Sequence, residues 1–512
     1  MLHARMVRPP SRRGRLLSVR DGALPGDATV FRDGDLLAVI AAEEHHAEAA
    51  AERLAQRAEW EERDTLPEEA ALESWLRAAP RESAIVAERS AATPEPAHRI
   101  SAAFLRPFLA HGAIAPSCAV ARWDGGALEV WTHSQGIYNL RTDLAKTLRM
   151  PPEGILVRHV EGSGCYGHNG ADDVALDAAL VARAHPGRAI RLLWSRAEEL
   201  GWSPFSPAML VEVQAEADNA GTLTAWKHEV TSNGHSGRPG RGEVPTLLAA
   251  SMIADPFPVP LSINPSMAGG GGAQRNAIPP YRVPALHVGV HRLLDMPIRA
   301  SALRGLGALV NVWAIESVMD EIAQRTGEDP LAHRLRHLDD ARARDVLARA
   351  AAMAGWPARR KAEGRGFGLA VSRYKGSGAW CAAVAEIEAA EHVFCRRLWL
   401  AADVGEPINP DGIAHQVEGG AIQATSMCLM EAVRHDRRRI TSDAWERYPI
   451  LRFSEVPEVA VEIIARPEAP PLGAGECAMG PTIAAIANAI ADALGVRVRR
   501  WPFTPDNIAG TA

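Results

Sequence analysis

Along the chain, apolar residues repeat in some segments every second position and in others at helical spacing, and their order predicts a mixed α/β protein. Residues 28–40 alternate and then run apolar around Asp33-Gly34, the pattern of two strands joined by a turn. Residues 42–59, rich in Ala and Glu, follow as a helix. Between 61 and 100 the chain is rich in Glu, Ala, Pro and Arg with weak periodicity, the pattern of a surface connector. From 101 to 233, strand-like segments at 115–122, 127–131, 155–160, 189–194, 209–217 and 222–231 alternate with helical ones at 139–149 and 171–184. A Gly- and Pro-rich stretch at 233–280 is too long for a simple connector, so it either carries function or wraps a surface. Helices are predicted next at 309–325, where Val312, Ile315, Met319 and Ile322 recur at helical spacing, and at 329–338 and 341–355. The last third returns to strands at 366–372, 380–388, 393–403 and 458–465. Among them lies a long helix near 411–431, capped and started by Asn409-Pro410.

The tail is the most informative stretch. Ile483, Ile486, Ile490 and Leu494 recur at helical spacing with Ala at most other positions, which predicts a helix buried on nearly all sides. Pro481 suits its first turn. Just before it, Gly473-Ala-Gly475-Glu476 sets one carboxylate on a loop whose glycines allow conformations or close approaches that a Cβ would block. A carboxylate facing a buried helix end is costly to desolvate. Glu476 therefore either pairs with the helix end or a nearby Arg, or serves a site.

Composition narrows the chemistry. A length of 512 residues suggests two to four domains with an ample core. The net charge of -6 makes no electrostatic case for nucleic acid. No apolar run reaches transmembrane length and no signal peptide is recognisable. The expected location is cytoplasmic, with a membrane-associated or periplasmic one left open through a preceding segment or a partner. Cys118, Cys165, Cys381, Cys395, Cys428 and Cys477 include no C-x-x-C pair, so they read as reduced thiols rather than a disulfide framework. Their spacing also does not match the usual iron–sulfur patterns, so any such cluster is expected on another chain. No His/Cys/Asp/Glu cluster supplies a full metal-ligand set, so a working metal would be held by a cofactor.

Four loop-plus-helix motifs stand out. Gln135, between a strand ending at Trp131 and the 139–149 helix, either caps that helix or offers an amide to an oxo or phosphate group. Gly162-Ser-Gly164-Cys-Tyr166-Gly167-His-Asn-Gly170 precedes a helix and can present backbone N–H groups to an anion, though a tight structural turn explains it as well. It is neither G-x-G-x-x-G nor a P-loop. Ser301-Ala-Leu-Arg304-Gly305-Leu-Gly307 places an Arg and two glycines at the start of the 309–325 helix, a favourable anion site. The Glu476 loop is the fourth. Together they suggest a receptor for a large, multiply phosphorylated organic cofactor.

In this order the motifs resemble the molybdenum-binding large subunit of the xanthine dehydrogenase/aldehyde oxidase family, most closely its bacterial nicotinate dehydrogenase and isoquinoline oxidoreductase types. Met1–Pro10 is similar to the start of the family's small α/β hammerhead domain. Further matches are Ala302–Gly307, Asn311–Ile322, Asp403–Pro410, Glu418–Gln423 and Gly473–Glu476. The resemblance implies a hammerhead-like domain at 1–63, a connector at 64–100 and two cofactor-binding α/β domains at 101–340 and 341–512. It implies a molybdopterin dinucleotide in its cytosine form, with Mo held by the pterin dithiolene and not by side chains. Gln135 would then hydrogen-bond the oxo ligand of the metal, and Gly164, Tyr166 and Gly167 would approach it. Arg304, Gly305 and Gly307 would line the cofactor and substrate side, and Gln423, Gly473 and Gly475 would complete the binding set. Glu476 matches the family's general base, which takes a proton as water-derived oxygen reaches an electron-poor carbon. The implied substrate is an N-heteroaromatic ring such as a nicotinate- or isoquinoline-like one. Alternatives are an aldehyde or purine oxidase with the same cofactor, or a scaffold subunit that keeps the fold without catalysis. Electrons would pass to a small [2Fe-2S] partner subunit, and from there to a cytochrome or another acceptor.

Overall fold

The computed structural model describes residues 1–359 and 362–510, so the last two residues of the expected 341–512 domain lie outside it. Its secondary structure is mixed α/β, as the periodicities predict, with sheets of seven, five, four and two strands among the described residues. The seven-stranded sheet runs in the order 155–159, 127–132, 118–124, 189–193, 2–7, 36–41, 29–33. Leu2–Val7 pairs in parallel with Ala189–Leu193, so a boundary at 63 runs through this sheet. Every residue of Leu36–Ala41 is buried, as a continuous apolar run requires.

The five-stranded sheet corrects the reading of 64–100 as a connector. That stretch holds the helix Leu72–Ala78 and the edge strand Arg81–Arg89, and it ends where His98–Arg106 begins. Arg81–Arg89 is exposed along most of its length and is held by backbone pairing with Ala285–Leu293. An edge strand of this kind needs no apolar alternation, so periodicity does not reveal it. The Ala308–Thr326 helix packs on the strands His98–Arg106 and Met209–Ala217 of this sheet.

The tail helix Met479–Leu494 lies between the four-stranded sheet and the Ala308–Thr326 helix, and it is buried from Met479 to Ala491. Its alanines meet two glycines of the strand Arg365–Arg373 at backbone distance. A Cβ on Gly366 would lie 2.1 Å from the Ala489 carbonyl oxygen, and one on Gly368 would lie 2.2 Å from that of Ala485. On the other side, Gly480 rests against Val312. Two polar side chains of this layer are tied into it by hydrogen bonds. Glu316 accepts from Arg334 Nε at 2.7 Å and from the Tyr281 hydroxyl at 2.6 Å, and Asn488 donates to the Glu316 and Leu369 carbonyls.

The Pro410–Met430 helix ends on a second buried carboxyl. Glu431 accepts from Ser426 and from Tyr448, whose hydroxyl in turn accepts from Ala110 N. Burial pushes the Glu431 carboxyl up to about 7, against the pull of those two donors. No helix of the described residues is long and apolar enough to cross a membrane.

Two outcomes follow from this packing. Gly368→Ala should lower the urea midpoint through a loss of about 1–3 kcal/mol from overpacking. For Glu431, the unfolded chain ionises near 4.5 while the folded one holds its proton to about 7. Stability should therefore fall as pH rises through that window, by about 3 kcal/mol in all. Urea titrations of Glu431→Gln across the same range should show that decline removed.

Candidate active site

Three of the four motifs are joined by one buried polar ladder. Ser134 accepts from Gly136 N and donates to Asp172, in the first turn of the Ala171–Ala184 helix. The other Asp172 oxygen lies 3.0 Å from His168 Nε2, and His168 Nδ1 lies 2.9 Å from Ser301 Oγ. Burial works to raise the Asp172 pKa, but His168 and Ser134 outweigh it and hold the carboxyl below its usual range. The Gln135 turn, the Gly162–Gly170 loop and the Ser301–Gly307 loop are thereby set relative to one another.

Backbone pairing reinforces the join. His168 N donates to Ala302 O at 2.8 Å, and Arg304 N donates to Tyr166 O at 2.7 Å. A Cβ on Gly167, at φ +140°, would sit 2.1 Å from Ala302 O, so only glycine fits there. Tyr166 between these contacts adopts φ 52°, an uncommon conformation for a non-glycine residue.

The fourth motif meets the third directly. Gly305 N donates to Glu476 Oε1 at 2.9 Å. Arg304 spreads its guanidinium over three protein partners: Gly475 O at 2.7 Å, Gln423 Oε1 at 3.2 Å, and Gln416 through its carbonyl at 2.9 Å and its amide oxygen at 3.1 Å. It therefore ties the Glu476 loop to the Pro410–Met430 helix. Burial lowers the Arg304 pKa from its usual value, and Glu476 opposes this most.

These loops enclose a cavity of about 950 Å³. Of the residues singled out from the sequence, Gln135, Gly164, Tyr166, Gly167, Arg304 and Glu476 line it. Gln135 leaves the 137–148 helix uncapped and accepts from Arg238 at 3.1 Å, which removes its reading as a cap. Gly305 reaches the site through its N–H. Gly307 packs behind, where a Cβ would lie 2.1 Å from Ala273 O, and Gln423 stands one layer back on Arg304. At 473 and 475, contrary to the expectation from sequence, the backbone does not require glycine. Neither adopts positive φ, a Cβ on Gly473 would meet nothing within 4 Å, and one on Gly475 would meet only the Gln416 amide oxygen at 3.7 Å.

Several wall residues lie outside the set expected from sequence. His235, Ser236, Arg238, Arg241 and Arg275 all come from the irregular 233–280 stretch, which therefore lines the cavity. Tyr374, which does not line the cavity but holds Arg275, was also unforeseen. Its hydroxyl accepts from Arg275, and burial, together with the nearby Glu476 carboxylate, pushes its phenol well above the usual value, so it stays a neutral donor. The only available signal was the cluster of Gly and Arg in 233–280, a stretch with no helical or strand period. Among the described residues, no group of three or more His, Cys, Asp or Glu side chains is placed to hold a metal ion.

Known proteins share both the sequence pattern and the fold. A model of the molybdopterin cofactor-binding domain matches residues 82–260 and 263–338, and a second model of that description matches 320–457. One nicotinate dehydrogenase subunit from Pseudomonas putida is 33% identical over 540 aligned positions, covering 99% of this chain and 44% of that protein. The beta subunit of isoquinoline 1-oxidoreductase from Brevundimonas diminuta is 28% identical over 388 positions, covering 74% of this chain and 46% of the relative. The chain thus spans less than half the length of these two curated relatives. The crystal structure of quinoline 2-oxidoreductase from Pseudomonas putida 86 matches the fold with a TM-score of 0.78 at 17% identity, covering 100% of this chain and 94% of the other.

The role of Arg304 as a clamp can be tested apart from any ligand. Lysine keeps the charge but cannot span three acceptors. Arg304→Lys should cost about 1–3 kcal/mol of stability, measured by urea denaturation, because the part-buried Gly475 and Gln423 oxygens lose a charged donor.

Proposed function

Because this chain belongs to the molybdopterin-binding large subunits of the xanthine dehydrogenase/aldehyde oxidase family, we propose that it is the catalytic large subunit of a molybdenum hydroxylase acting on an electron-poor carbon of an N-heteroaromatic ring. The observation that carries this reading is the position of Glu476. Its carboxylate faces a large cavity, with one oxygen held by Gly305 N–H, opposite no ion-pairing cation among the described residues. A carboxylate oriented in this way can take a proton from a reacting group.

The cavity suits a bulky anionic cofactor. Among the described residues, four arginines line it against two glutamates, and Gly167 lets the loop beside it pack directly on the Ala302 backbone. Bound there, a molybdopterin dinucleotide in its cytosine form would supply two-electron redox chemistry and an activated, water-derived oxygen. Gln135 would hold the metal end by its amide, and the Gly164–Gly167 loop would approach it. Tyr374, kept protonated near the Glu476 carboxylate, accepts from Arg275 of the cavity wall, and Arg304 fixes the loop that carries the base. Electrons leave through a separate [2Fe-2S] subunit, a proposal supported by the lack of cluster-type cysteine spacing in this sequence.

The nicotinate- or isoquinoline-like ring is preferred over an aldehyde or purine because the relative that is 33% identical over 99% of this chain bears the nicotinate name, whereas relatives named for aldehydes share 25% over 78% and 30% over 46%. Glu476→Gln should keep Mo and pterin at wild-type levels while turnover of heteroaromatics with an artificial electron acceptor falls by about 10²–10⁴-fold. Loss of Mo in this variant would make Glu476 a structural residue, and retained turnover would remove it as the base. Purified wild-type complex without Mo or pterin would favour the scaffold alternative.

A further inference from the structure

The four arginines of the cavity are not equivalent. Arg275 donates to the Gly270 and Gly271 carbonyls and to Tyr374, and Arg304 is committed to Gly475, Gln416 and Gln423. Arg238 gives one bond, to Gln135, and Arg241 gives none to any described residue. Glu161 and Glu476 are the carboxylates of the wall, and neither forms an ion pair with Arg238 or Arg241.

The segment that carries this pair is held from behind. Asp143, fully buried, accepts from Gly240 N at 3.0 Å and Thr246 N at 2.9 Å, and Lys146 donates to Gly242 O at 3.0 Å. A Cβ on Gly237 would come 2.6 Å from Ala300 O, so the backbone there is pressed against the Ser301 loop. Two guanidinium groups three residues apart are thus presented to one cavity, and neither is ion-paired to a carboxylate among the described residues. Burial lowers the Arg238 pKa and Arg241 adds to this, while Asp172, Cys165 and Glu476 pull the other way. Like charges held this way are unfavourable alone and are matched by a ligand with several acceptor oxygens.

We propose that Arg238 and Arg241 form an oxyanion subsite of the cavity, taking a phosphate or carboxylate group of a bound molecule. This rests on the reading of the cavity as the cofactor and substrate chamber. The group belongs either to the cofactor, as a phosphate, or to the substrate, as a ring carboxylate.

The test compares wild type, Arg241→Gln, Arg238→Gln/Arg241→Gln and the matching double lysine variant. Mo is measured by mass spectrometry, pterin by fluorescence, and nicotinate affinity by calorimetry on metal-loaded protein. A cofactor phosphate predicts that Mo and pterin content fall at least tenfold in the double glutamine variant and recover in part with lysine. A substrate carboxylate predicts unchanged content and nicotinate binding weakened by about 10–100-fold, the loss expected for charge-assisted hydrogen bonds. If the double variant is unfolded by circular dichroism, the same readings are taken on Arg241→Gln, whose side chain is exposed. Variants that match loaded wild type in content and in nicotinate binding overturn the subsite alone. Wild type devoid of Mo and pterin overturns the chamber reading and the subsite with it.

Discussion

The site depends on one close backbone contact, that of the alanine face of the Met479–Leu494 helix against Gly366 and Gly368. Where a Cβ would stand 2.1–2.2 Å from a helix carbonyl, helix and strand are as near as chains can pack. This contact, together with Gly480 on Val312, leaves the tail helix little freedom to shift between the sheet and the Ala308–Thr326 helix. Interiors packed at crystal-like density transmit such constraints without slack. The N-terminal end of the helix then delivers Glu476 to Gly305, which precedes the neighbouring helix.

Around that fixed point the remaining loops are joined by polar contacts. The Ser134–Asp172–His168–Ser301 ladder joins segments far apart in sequence yet brings three turns into register. Arg304 does the same for the Glu476 loop and the Pro410–Met430 helix. Buried groups of this kind must be satisfied, so each partner restricts the others, and the cavity wall is preorganised before any ligand arrives.

Strongly periodic elements were legible beforehand. The helices expected at 139–149, 309–325 and 411–431 lie at 137–148, 308–326 and 410–430, because their apolar faces are written locally. The strands Arg81–Arg89, His98–Arg106 and Ala285–Leu293 were not legible, since they are held in one sheet by long-range pairing. The glycines at 473 and 475 suggested a conformational need that the backbone does not have. Gly167 and Gly305 do adopt positive φ, while Gly366 and Gly368 are required by the close approach of the tail helix, which only their neighbours in space reveal.

By itself, the sequence determined the mixed α/β class, the buried tail helix, and a family resemblance carried by motifs in register, with Glu476 and Gln135 among them. These are properties of local period and residue order. Tertiary structure alone decided that Gln135 faces the cavity instead of capping its helix, and that Gln423 supports Arg304 from behind. It also decided that Arg238, Arg241 and Arg275 share the chamber, with Tyr374 accepting from Arg275. Such convergence depends on which side chains meet across distant segments, and no local period encodes that.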